Sequence, residues 1–298
     1  MPKPSFTHLE TRGTLILEGP DTRAFLQGVV SNDVEKVSPS RAIWAAFLTP
    51  QGKYLHDFFV FQFGEAVVLD CERARADDLV RRLGMYRLRS KVSVSNASER
   101  FAIGAVFGDG ALKAAGLGAE AGLAASFSGG VAFVDPRLSE AGGRVLLPEE
   151  NFDRALGECG LTPVAFEQYD RLRLSLGLPD GSRDLAVEKT ILLEAGFDEL
   201  NGVDWDKGCF LGQELTARTK YRGLVKRRLV PVEIEGPPPP PDSPIRLGDR
   251  EVGELRSVSD GWGLALIRLD GLAAATEGAK LIAGEARVTP RKPAWASF

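Results

Sequence analysis

Five consecutive prolines, Pro237 to Pro241, stand between Gly236 and Asp242-Ser243-Pro244. Each proline fixes φ and removes a backbone donor, so the run can continue neither a helix nor a central strand. It is read as a stiff linker over 236–244, dividing the chain into a region 1–235 and a C-terminal region 245–298. Beyond it, Glu251–Leu255, Trp262–Ile267 and Ala286–Val288 are short strand patterns between glycine turns. That spacing predicts a small β-barrel.

The larger region mixes both periodicities. Gly13–Glu18 reads as a strand, followed by a helix to Val30 that Asp21 would cap. Ala42–Thr49 and Tyr54–Phe61 flank Pro50-Gln51-Gly52-Lys53, a hairpin signature. The strand Ala66–Cys71 leads into an amphipathic helix over Glu72–Leu83. Further strands are expected at Lys91–Val94, Ala102–Phe107, Val131–Val134 and Arg144–Leu147, with helices at Gly110–Ala115, Glu150–Glu158 and Ala165–Leu176. Helices and strands alternate without a long βαβ series, which suits an α+β fold with helices on one face of antiparallel sheets. No tandem repeat stands out, and two similar halves before the proline run stay open.

Composition narrows the function. With 44% hydrophobic and 26% charged residues the chain is an ordinary globular protein, and a net charge of -4 does not suit a dedicated nucleic-acid binder. No apolar stretch approaches the roughly 20 residues of a membrane span, and Met1–Phe6 has no signal-peptide core, so a cytoplasmic protein is expected. Cys71, Cys159 and Cys209 are odd in number and far apart, unlike a disulfide framework. With only His8 and His56 and no Cys-x-x-Cys, no self-contained metal site is expected.

One cysteine differs from the others. Cys209 lies in Asp206-Lys207-Gly208-Cys209-Phe210-Leu211-Gly212-Gln213-Glu214, just ahead of a helical pattern. A nearby cation and a helix N-terminus both favour the thiolate over a free pKa of about 8.5. The alternative is a small buried residue in a tight turn, as for Cys71 and Cys159. Arg218, Lys220, Arg222, Lys226, Arg227 and Arg228 then form a basic run with no acid between Glu214 and Glu233, either a solvated hairpin or a docking surface for an anion or an acidic partner. Tyr169 and Arg173 share a helix face and can hold a flat heterocycle, although a core tyrosine is the commoner outcome. His56 and Asp57 are adjacent on a strand and so point to opposite faces, which argues against a direct acid-base dyad.

The run Lys207–Glu214, continuing to Arg218 and Lys220-Tyr221-Arg222-Gly223, resembles the signature of the YgfZ family of folate-binding proteins. The resemblance extends to Phe25–Gly28, Ser31–Val34, Leu48–Lys53, Asp135-Pro136-Arg137 and Glu194–Gly202, nearly the whole chain. It implies two ferredoxin-like modules plus a small C-terminal β-barrel around a central folate cavity, as in the related aminomethyltransferases. It implies a role in iron-sulfur cluster assembly or repair, with Cys209 as the functional thiol set by Lys207, Gly208, Gly212, Gln213 and Glu214. A cluster would be shared transiently with a partner, and iron-sulfur assembly or client proteins are the implied partners. Tetrahydrofolate is the implied ligand, with Tyr169, Arg173, Glu194, Asn32 and Arg222 as its contacts. Where the transferases show two aspartates this chain has His56-Asp57, which disfavours aminomethyl transfer. A folate-dependent transferase and a non-catalytic scaffold for an acidic partner remain the alternatives.

Overall fold

The computed structural model describes residues 3–298. Its strands are β1 (Ser5–His8), β2 (Arg12–Glu18), β3 (Ile43–Leu48), β4 (Tyr54–Phe63), β5 (Ala66–Glu72), β6 (Ser93–Asn96), β7 (Phe101–Phe107), β8 (Ala124–Phe127), β9 (Gly130–Val134), β10 (Gly143–Pro148), β11 (Thr162–Pro163), β12 (Arg227–Glu235), β13 (Pro244–Leu247), β14 (Arg250–Ser259), β15 (Trp262–Arg268), β16 (Leu281–Ala283) and β17 (Ala286–Pro290). The helices are α1 (Thr22–Val29), α2 (Ala76–Arg87), α3 (Ala111–Ala114), α4 (Phe152–Glu158), α5 (Phe166–Ser175), α6 (Gln213–Tyr221) and α7 (Leu269–Thr276).

The first sheet has the order β3-β4-β5-β2-β6 and the second β11-β1-β7-β10-β9-β8. Each follows one plan: strand, helix, a three-stranded meander whose first strand lies at the edge, helix, strand. The two halves left open by the sequence are thus two ferredoxin-like modules. They are intertwined, because β1 precedes the first module yet pairs with β7 and β11 of the second.

Side-chain alternation sets the layers. Along β4, Phe58 and Val60 pack with α1 and α2 around Leu26, Leu79 and Leu83. Phe59 and Phe61 point the other way, to Ile103, Phe107 and Phe133 of the second sheet. Phe61 and Phe133 lie 4.9 Å apart. The two sheets are therefore back to back, and β4 is buried on both faces, which explains the unbroken apolar run 58–61.

The barrel closes as β12-β15-β14-β13-β16-β17. Its first stave, Arg227–Glu235, pairs with β15 and β17 and lies before the proline run. The division at 236–244 is corrected accordingly: the prolines connect two staves of one barrel. They break the strand without ending the domain, since the barrel core takes Val230 and Val232 from one side and Ile245 and Val252 from the other.

Other differences are local. Asp21 does not cap α1; its carboxylate accepts from the Lys91 N–H at 2.7 Å. The second long helix begins at Ala76 because Arg73–Arg75 forms a 3-10 turn. Strands β1, β8 and β11 are short and owe their form to neighbours rather than to their own pattern. Among the described residues no helix is long and apolar enough to cross a membrane.

Candidate functional site

Cys209 is exposed, while Cys71 is buried. Burial pushes the Cys71 thiol up to about 12, leaving it inert in the first module's core. Cys209 stands on the loop before α6, three residues ahead of the left-handed Gly212 that starts the helix. The Gln213 carboxamide oxygen accepts from the Phe210 N–H at 3.1 Å and closes the loop on itself.

Segments distant in sequence converge beneath this loop. The Leu211 N–H donates to the Gly28 carbonyl at 3.1 Å. The Lys207 ammonium donates to the carbonyls of Val30 at 2.5 Å and Asn32 at 2.7 Å. The Asn32 amide in turn donates to the carbonyls of Trp44 and Asn201, each at 2.7 Å. The Ser31 hydroxyl donates to Gly202, and the Asn201 amide to Pro136. Most of the segments that carried the resemblance thus form one hydrogen-bonded frame around position 209.

Lys207 is more than a neighbouring positive charge. Its ammonium is turned into the frame, and burial, partly offset by Asp33 and Asp204, lowers its pKa to about 8. It staples the loop to the first module. Gly212 lets the loop approach the hairpin closely: its φ is +80°, and a Cβ there would come within 2.5 Å of the Thr49 carbonyl oxygen. Gly52 approaches from the opposite side, so two backbones touch where side chains would collide. Gly208, also left-handed at φ +86°, has open space around it. Glu214 is exposed and pairs with Arg218 at 2.9 Å, stabilising α6 rather than touching the thiol.

The basic run divides. Arg227 pairs with Glu194 at 3.0 Å and Arg228 with Glu199 at 3.1 Å. Lys220 lies 3.9 Å over the Trp205 ring. Arg222 and Lys226 remain exposed, next to the exposed apolar residues Tyr221 and Leu224. One face beside the thiol loop is therefore both cationic and apolar.

The five residues assigned to folate do not converge. Tyr169 is buried against Phe107. Arg173 is buried and fully engaged, with Asp170 at 2.6 Å, Asp184 at 2.7 Å, the Leu178 carbonyl and the Ser257 hydroxyl of the barrel. The space these two border measures about 10 Å3, room for a water and far below a pterin. Arg12, Arg137 and Arg144 fill the centre instead, at 5.9, 4.9 and 4.0 Å from the Phe59 ring. Asp70 binds Arg12 at 2.6 Å and Arg144 at 2.7 Å, and Asp135 binds Arg137 at 2.7 Å. Asn32 belongs to the thiol frame, and Arg222 is on the surface. The expected central cavity is thus corrected to an ionic core.

His56 and Asp57 do face opposite ways. His56 meets Asp78 of α2 at 3.0 Å, and burial lowers its pKa to about 4. Asp57 accepts from Trp44 at 3.0 Å and Tyr54 at 2.8 Å on the inter-sheet side, and burial raises its pKa. Glu194 leads to a different opening. Arg227, which it holds, lines a groove of about 490 Å3 with Arg183, Lys189, Leu266 and the ion-paired Arg256, Asp242 and Glu254, between the segment before the thiol loop and the barrel. Sequence reasoning missed this groove and missed, in the frame, Asn201 and Gln27, whose amide donates to Asp33 at 2.8 Å and whose oxygen accepts from the Val34 N–H at 2.9 Å. Only the quoted segments around them hinted at a role.

Comparison with known proteins follows this geometry. A model described as the CAF17 C-terminal beta-barrel domain matches residues 226–298, the barrel with its first stave. The human mitochondrial iron-sulfur cluster assembly factor IBA57 is 33% identical over 279 residues, covering 87% of this chain and 76% of that protein. Its mouse counterpart is 31% identical over 285 residues, with the same coverage of 87% and 76%. The IBA57 homolog of Neurospora crassa is 31% identical over 254 residues, covering 81% and 57%. The glycine cleavage system aminomethyltransferase T from Bartonella henselae superposes with a TM-score of 0.77 at 15% identity, covering 98% of this chain and 86% of that one. At that identity the likeness is one of fold.

Proposed function

The chain belongs to the YgfZ and IBA57 family of iron-sulfur cluster assembly factors, and from that premise we propose that it acts through Cys209 as a transient ligand to a cluster, a sulfur species or a partner thiol. The observation that carries this reading is an exposed thiol on a loop fastened from below by Lys207, Asn32 and Asn201. The thiolate is the form that binds iron. One thiolate supplies one ligand, so the remaining ligands come from the partner. Lys207, Gly212 and Gln213 fix where the sulfur is presented, which lowers the ordering cost when the partner docks. The exposed Arg222 and Lys226 draw an acidic partner to that face.

The groove at Arg227 has a size and cationic donors that suit a folate. Arg227, Arg183 and Lys189 would hold its carboxylates, with Glu194 keeping Arg227 in place. A tetrahydrofolate bound there supplies a reduced pterin that carries one-carbon units. Aminomethyl transfer is the weaker reading, because Asp57 is buried and already bonded to Trp44 and Tyr54.

Cells carrying Cys209→Ala should lose activity of cluster-dependent enzymes at normal levels of the variant; retained activity would overturn the role of the thiol. Tetrahydrofolate titration should show binding lost in Arg227→Ala and kept in Tyr169→Phe. The opposite pattern would return the ligand to the centre. A charge reversal at Arg222 and Lys226 that abolished partner capture while Cys209→Ala had no effect in cells would favour the scaffold.

A further inference from the structure

The barrel carries a separate recess of about 670 Å3, which opens between α7 and the strands β12 and β17. That volume is in the usual range for small-molecule sites, about 300–1,000 Å3. Helix α7 reads Leu-Asp-Gly-Leu-Ala-Ala-Ala-Thr, apolar except at Asp270 and Thr276, yet only Gly271 in it is buried. Gly271 presses on the barrel so closely that a Cβ there would come within 2.9 Å of the Val252 Cβ. The helix is anchored along that contact, while Leu272, Ala273 and Ala275 line the recess. Its floor is Val230 and Val288, members of the barrel core.

The polar lining has one sign. Arg287, Arg291 and Lys292 border the recess, and no acidic side chain does. Arg287 and Arg291 share their charge with Glu235 at 3.7 Å and Glu233 at 2.6 Å, both outside the recess. Among the described residues Lys292 has no carboxylate partner; its ammonium lies 5.7 Å from the Phe298 ring.

We propose that this recess binds a small amphipathic anion, an acyl or aryl carboxylate whose apolar body lies along α7 and whose head meets Lys292 and Arg291. The aliphatic wall favours a chain or ring that leaves water, and the cationic rim, where Lys292 has no carboxylate partner among the described residues, selects the charge of its head. A fully polar anion would leave the wall wet, and a neutral alkane would leave Lys292 without a partner. The site is independent of Cys209 and of the groove at Arg227.

The test uses the full chain with anilinonaphthalene sulfonate as fluorescent probe and decanoate as competitor. One saturable site is expected, from which decanoate displaces the probe and decanol, of equal chain length, does so about tenfold less well. Lys292→Glu should weaken decanoate by about tenfold while leaving decanol unchanged. Ala273→Phe fills the recess from an exposed helix position and should abolish binding with the thermal melt preserved. Absence of saturable binding, equal displacement by decanol, or wild-type affinity in Ala273→Phe would each overturn the proposal.

Discussion

The centre between the two sheets and the loop at Cys209 are both rich in groups that can do chemistry, and they use them in opposite ways. At the centre Arg12, Arg137, Arg144 and Arg173 are buried, and each meets carboxylates that belong to the same chain. At the loop the polar groups beneath the sulfur, Lys207, Asn32 and Asn201, are spent on the frame, and the Cys209 thiol is left exposed. Charge density thus does not tell which groups stay open to solvent. The proposed role of Cys209 rests on an unspent group on a rigid support.

Four measurements can break or sharpen that contrast. The largest effect is expected at the centre: Arg173→Met strands the buried Asp184 without its cation, leaves Asp170 only Arg183, and should cost about 3–5 kcal/mol in urea unfolding. A loss under 1 kcal/mol would mean that the centre is not a structural core.

Next comes His56, sealed on the helix side of the first sheet. Its folded pKa of about 4 lies below the ordinary 6.5, so below pH 6.5 the unfolded chain binds the extra proton. Stability from this group is complete above pH 6.5 and is lost as pH falls towards 4, by up to about 3 kcal/mol. His56→Gln should flatten that part of the profile. Parallel profiles for the two proteins would refute the assignment.

Gly212→Ala tests the frame itself. The left-handed backbone and the contact with Thr49 should together cost about 2 kcal/mol and release the loop, seen as faster amide exchange over 207–212. Unchanged exchange would show that the frame does not depend on the close backbone approach. The smallest stability effect belongs to the thiol. Cys209→Ser should stay within about 0.5 kcal/mol of wild type, as for a surface site. A loss comparable to that of Gly212→Ala would put the sulfur among the supports rather than the working groups.

Legibility followed the range of the interactions involved. The hairpin at Thr49–Lys53, the helices α4 and α5 and the late barrel strands were readable because a few adjacent residues dictate them. Strand β1 was not readable. Its four residues become a strand only by pairing with β7, about a hundred residues on. The proline run was read correctly as a break and wrongly as a domain boundary, because a local signal reports that a strand stops and not which strands close the barrel.

The site divides in the same way. The signature around Cys209 is contiguous, so the sequence alone set this thiol apart from the other two, with glycines flanking it and a helix following. Tyr169 and Arg173 carried the right chemistry for a ligand, but whether they face a cavity depends on how two sheets and a barrel pack. Only the tertiary structure decided that three arginines fill the centre, that Lys207 points into the frame, and that an opening lies at Arg227. Burial and partner choice are set by long-range packing, and a linear pattern holds the residue types for that packing without the distances between them.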